Sequence, residues 1–140
     1  MFLRNLSVAL VGGAIGGGAT TLFIWLLGAL GVPAMLGMTA PPVEITKGFI
    51  YRTLVWGGIW GAVLMLPVLR RQWFWRGVLL SLLPTAALFF YFFPRQQLGM
   101  FGMNAGIGLP IMALVANFLW GIVAALWFYA AAQDNGRRFA

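Results

Sequence analysis

Four methionines fall in two copies of one short pattern. Met35 and Met38 bracket "MLGM", and Met100 and Met103 bracket "MFGM". Thioether sulfur is a soft ligand that suits Cu(I), so two such copies brought together have the donor chemistry for one soft ion. The competing reading is that methionine fills irregular apolar gaps where loops meet a membrane. No other residue type supports the metal. The chain has no cysteine and no histidine, and its only carboxylate side chains are Glu44 and Asp134. Neither acid has a second one near it in sequence, and no thiol or imidazole is present to act as nucleophile or base. The expectation is a protein that is not an enzyme and carries no cofactor. Asn117 is the remaining polar residue of interest. It lies in a long apolar run, where an amide either bonds to a neighbouring helix or contacts a solute.

The elements that must position these residues follow from composition. The chain is 62% hydrophobic and 8% charged, against about 25% charged in a soluble domain. Its solvent is therefore a bilayer. The net charge of +7 would suggest nucleic acid in a soluble protein. Here the basic groups sit between apolar runs, as topology signals do, and no nucleic-acid partner is expected. About 20 apolar residues cross the hydrocarbon core. Four runs reach or approach that length: 7–32, 53–69, 77–93 and 109–132. The first is too long for the apolar core of a signal peptide and reads as a retained helix. The fold class is all-α, with four transmembrane helices in one integral membrane domain over 1–140. Pro84 should kink the third helix, with Ser81 as a partner for freed backbone groups. Glu44 reads as a first-turn residue of a helix opened by Pro41 and Pro42.

Charge sets an expected orientation. Arg4, Arg70, Arg71, Arg76, Arg137 and Arg138 fall on one side, and Lys47, Arg52 and Arg95 on the other. The positive-inside rule makes the six-residue side cytoplasmic, which puts both termini inside. Arg70, Arg71 and Arg76 in "RRQWFWR" would then lie among anionic lipid head groups, as topology anchors or as a specific lipid site. Arg52 near an outer helix end would snorkel.

Five glycines crowd "GGAIGGGAT" at 12–20. This run does not fit a dinucleotide or phosphate-loop pattern, and flanking apolar residues exclude a linker. At 3.6 residues per turn, Ala9, Gly13, Gly16, Gly17, Thr20, Gly28 and Gly31 share an arc of about 120°, with Val11, Ile15, Leu22 and Leu26 opposite. Small residues let helix backbones approach, so the arc reads as a packing surface for a helix of this or another chain. The second helix offers Gly57 and Gly61, and Gly58 with Ala62. The fourth offers Ala113, Asn117, Gly121 and Ala125. The third shows only Ser81 and Thr85, and reads as peripheral or as a cap on the other three.

"AMLGMTA" at 34–40 returns as "GMFGMNA" at 99–105, Trp56-Gly57 returns as Trp120-Gly121, and Arg70-Arg71 as Arg137-Arg138. These markers suggest two hairpins of one design, a parallel internal repeat.

The glycine-rich opening resembles that of small fluoride channels, but the polar residues such channels carry in later helices are missing. The chain also resembles the YagU-like uncharacterised bacterial inner-membrane proteins. The likeness rests on the glycine-rich first helix, a proline-bearing outer loop, "LVWGGIWGAVLMLPVLRRQWFWRGVLL", "FFP" and "NFLWGIVAALW". It implies a multi-pass bacterial inner-membrane location and no site residues. The functional expectation is an accessory or structural subunit, or an oligomer, whose partners are membrane lipids and other transmembrane helices. The alternative is an oligomeric channel or transporter for a small solute or ion. A polar-lined cavity favours the alternative. A dry bundle with a small-residue face open to lipid favours the first.

Overall fold

The computed structural model describes residues 2–39 and 44–133, and the described chain is helical with no strand. Helix α1 is Phe2–Ala29 and the short α2 is Val32–Met35. Helix α3 is Lys47–Gly61, tightened to a 3-10 turn over Ala62–Met65. Helix α4 is Trp73–Ala87, widened to a π-helix over Leu88–Phe92 and followed by α5, Phe93–Arg95. A 3-10 segment at Met100–Ala105 precedes α6, Gly108–Gln133. Four helices are long and apolar enough to cross a membrane: Phe2–Ala29, Lys47–Met65, Trp73–Arg95 and Gly108–Ala131.

Local chemistry sets the ends of these spans. The hydroxyl of Thr46 accepts from the amide of Phe49, so α3 starts at Lys47. A side-chain oxygen at that position satisfies one orphan N–H of the first turn. Glu44 therefore lies outside the helix whose first turn it was expected to join, while Pro41 and Pro42 fall outside the described residues. Gly31 takes a φ of 72° and turns the chain from α1 into α2, a conformation that glycine adopts without steric cost. Helix α4 runs through Pro84. The Ser81 hydroxyl donates to the carbonyl of Val78, and Thr85 donates to the carbonyl of Ser81.

The four spans form a row in the order α3, α1, α6, α4. Helix α1 packs on α3 and α6, and α6 packs on α1 and α4, while α3 and α4 hardly touch. Glycine makes the close pairs. A Cβ at Gly57 would lie 2.7 Å from the Gly13 carbonyl oxygen, and one at Gly13 would lie 2.7 Å from the Gly61 Cα. A Cβ at Gly16 would lie 2.7 Å from the Trp120 carbonyl oxygen, and one at Gly12 3.0 Å from that of Ala124. The small face of α1 is thus wider than the expected arc, because Gly13 and Gly17 meet α3 while Gly12 and Gly16 meet α6. Both partners belong to the same chain. Gly28 and Gly31 share the expected arc but meet nothing within 4 Å, so they take no part. Val11, Ile15, Leu22 and Leu26 are exposed on the far side, as the periodicity requires.

The third span has a small ridge after all. Gly77, Ser81 and Thr85 are buried one turn apart against α6, and a Cβ at Gly121 would lie 2.8 Å from the Ser81 Cβ. The contact of Gly77 with Gly121 stands 64 residues after that of Gly13 with Gly57. A full twofold arrangement is nonetheless absent, since α1 packs on α6 and its counterpart pair, α4 and α3, stays apart. Position by position, α4 carries Arg76 and Leu80 where α1 carries Gly12 and Gly16. A helix with side chains of that size cannot be approached as α1 is.

Candidate functional site

The gap between α3 and α4 is a cleft of about 280 Å³. Helix α3 contributes Phe49, Arg52, Thr53, Trp56 and Trp60. Pro84, Leu88, Phe92 and Gln96 line the opposite wall at four-residue spacing. The floor is Gly17 and Thr20 of α1 with Asn117 and Trp120 of α6. Most of the far wall is thus the proline and the π-helix of the third span, local irregularities that recur at functional places in helices. The two walls touch through Trp56 and Phe92, edge to face with ring centroids 5.9 Å apart.

Trp120 sets the floor. It is 4% exposed, and its indole N–H donates to the Gly13 carbonyl at 3.0 Å. The same ring fills the space left by the missing side chains of Gly16 and Gly57. The Thr20 hydroxyl donates to the Gly16 carbonyl and reaches the Ala116 carbonyl at 3.5 Å. Below this floor, toward the chain termini, Ala9, Leu64, Leu80, Ala124, Ala125 and Phe128 form the packed core. The cleft is therefore blind. It extends from the end carrying the long loops to a plug of apolar side chains.

Three polar groups of the lining are unspent. The Asn117 side-chain amide, expected to bridge helices, makes no hydrogen bond to a described residue. The same is true of the Gln96 side chain. Arg52 lies over the Phe49 ring, 5.7 Å from its centroid, and forms no ion pair among the described residues. Arg52 and Gln96 are exposed at helix ends, whereas Asn117 lies inside an apolar span, where an amide without a protein partner needs water or a ligand.

The other expected sites resolve differently. Arg76 departs from its neighbours Arg70 and Arg71, which are exposed. It is 6% exposed, donates to the Leu64 and Leu66 carbonyls, and lies 5.2 Å from the Phe128 ring centroid. Its Nε has no partner among the described residues. A cation at the C-terminal end of a helix satisfies orphan carbonyls and complements the helix dipole. That position removes Arg76 from the expected lipid-facing set. Arg137 and Arg138 lie outside the described residues. The two methionine loops do come together: the Thr39 amide donates to the Ala105 carbonyl, and a Cβ at Gly106 would lie 2.6 Å from the Gly37 carbonyl oxygen. Met35, Met100 and Met103 point outward, with Met35 79% exposed. The described residues hold no cluster of three acid, histidine or cysteine side chains fit for a metal.

Comparison with protein-family models, with curated proteins and with solved structures gave no match. The cleft therefore has to be read from its own chemistry.

Of its components, the sequence pointed to Asn117, Gly17, Thr20 and Gly57 as functional or packing positions. Trp120, Arg52 and the wall from Pro84 to Gln96 were not assigned to a site. The four-residue spacing of that wall was the available signal, together with a proline in the same register.

Proposed function

We propose that this chain is a small multi-pass protein of the bacterial inner membrane that binds a small solute in the α3–α4 cleft, as a carrier does, and performs no covalent chemistry. One observation carries the reading. Asn117 lies within an apolar span on the floor of a cleft, and its side-chain amide has no partner among the described residues. The blind end favours a binding site over a continuous pore. The accessory-subunit reading loses its motive, because the small faces of α1, α3 and α6 are used within the chain. The exposed remainder is bulky aliphatic and aromatic surface suited to lipid. The charge bias supports cytoplasmic termini and an outward cleft. The 64-residue spacing of the glycine pairs supports two diverged copies of one hairpin.

The absence of native cysteine makes a direct test available. Asn117→Cys and Ile15→Cys, the latter on the exposed far side of α1, would be treated in intact cells with a membrane-impermeant thiol reagent. Modification of Asn117→Cys and not of Ile15→Cys is expected. If both stay unmodified, the cleft is not open to the outer solution and the reading fails.

A further inference from the structure

We infer that the ligand of this cleft is a single-chain amphiphile with an anionic head, an inference that rests on the cleft being a solute site. Three properties of the lining converge on that class. The first is charge. Arg52 is the one ionised group among the lining residues, it stands at the mouth, and no carboxylate lines the cleft. Its neighbours at that end of the bundle include the basic Lys47 and Arg95, the latter held over the Tyr91 ring. The rings deeper in could attract a cation, but at the mouth a cationic head would meet Arg52 with no lining carboxylate to offset it, Glu44 lying outside the lining. An anionic head finds a guanidinium free of any ion pair, with the Gln96 amide as a further donor.

The second is polarity along the depth. Beyond Arg52 and Gln96 the walls become Trp56, Leu88, Phe92 and Trp60. Burying this surface against water is unfavourable, and burying it against methylenes is favourable. A bare inorganic anion would leave these rings uncovered. The third is shape. From Phe49 to Trp60 the α3 wall runs roughly 16 Å at the helical rise per residue. A volume of about 280 Å³ drawn out over that length is narrow, which suits one alkyl chain rather than two. The α3–α4 gap also gives the chain a sideways route, since the two helices meet there mainly at the Trp56–Phe92 ring pair. Asn117 and Thr20 mark the lower part of the path, where a water molecule or a polar substituent on the chain would satisfy the amide.

The test uses Asn117→Cys protein in nanodiscs of zwitterionic lipid, labelled with a neutral maleimide so that the reagent itself is indifferent to Arg52. Octyl phosphate, octyl trimethylammonium, octyl glucoside and inorganic phosphate are compared as protecting agents. Octyl phosphate is expected to slow labelling about tenfold, a change typical of one charge-assisted recognition, at a concentration where the other three leave the rate unchanged. In the Asn117→Cys, Arg52→Gln double variant that protection should vanish while labelling persists. Equal protection by octyl glucoside overturns the anionic head, and protection by inorganic phosphate alone overturns the chain. Protection that survives Arg52→Gln, or no protection by octyl phosphate, overturns the proposal as a whole. In all of these the open cleft stands. Failure of the maleimide to label Asn117→Cys without any additive sinks the solute-site reading itself.

Discussion

The same substitution at two places on α1 should have different outcomes. At Gly16 an added methyl would lie 2.7 Å from the Trp120 carbonyl oxygen and 2.9 Å from the Trp120 Cδ1. Ordinary contact begins at 3.4 Å, so α1 and α6 must part by about 0.7 Å there. The ring cannot swing away, because it is buried and bonded to the Gly13 carbonyl. A gap of about 0.5–1 Å forfeits a quarter to a half of each van der Waals well, and each well is worth about 0.1–0.2 kcal/mol. Over the several tens of atom pairs along such an interface this gives about 1–3 kcal/mol, the usual cost of overpacking. Relief of glycine's backbone entropy returns about 0.5–1 kcal/mol. Gly16→Ala should therefore destabilise by about 1–2 kcal/mol. Gly28→Ala adds its methyl where nothing lies within 4 Å. It should be neutral or stabilise by up to about 1 kcal/mol. Thermal unfolding and steric trapping in the same mild detergent measure both. Equal shifts, or a gain at Gly16, would refute the claim that glycine at that place exists to admit α6.

Trp120→Phe should keep most of the packing but lose the indole bond to the Gly13 carbonyl, which is made in addition to its helical one, for a loss of about 1 kcal/mol. Trp120→Ala should cost about 3–5 kcal/mol, and thermal stability of the pair separates bond from bulk. Arg76→Met should lower stability by about 1–3 kcal/mol by removing the donor to the Leu64 carbonyl, the Leu66 carbonyl keeping the Val68 amide, whereas Arg70→Gln should fall within about 0.5 kcal/mol of the parent. Matched losses would show that Arg76 is not a cap. Silver or Cu(I) titration should give no sub-micromolar site. Tight binding that disappears when Met35, Met38, Met100 and Met103 are replaced by leucine would establish a metal function. Reporter fusions at position 140 and within 33–48 should place the first inside and the second outside, and the reverse would invert the cleft.

The spans were legible because bilayer thickness imposes one length on every crossing segment, and apolar runs of that length are hard to mistake. Their edges were less so. Lys47 and Arg52 lower the hydropathy of the first turns of α3, so the run was expected from Thr53, while the Thr46 cap starts the helix at Lys47. Gly77 marked the expected edge of the third span, which hid its ridge with Ser81 and Thr85. The cleft was hardest to foresee. Its lining comes from four helices, and no single periodicity encodes which two of them fail to meet. Asn117 alone flagged the place, because a free amide in an apolar run is conspicuous on any helix.

The pairing of Arg76 and Leu80 with Gly12 and Gly16 has one more consequence. A cavity is commonly pictured as something missing, made by trimming a large side chain. Here the void adjoins a helix made bulkier than its counterpart. Leu80 is 4% exposed within the core that ends the cleft, and Arg76 ties itself to the carbonyls at the end of α3. Each side chain stands where the first span has a glycine, so the third span cannot close on the second there as α1 closes on α6. On this view the pocket is propped open from beneath. Its size is governed less by the residues that line it than by two side chains outside the lining, and shrinking Leu80 would close the space above rather than enlarge it.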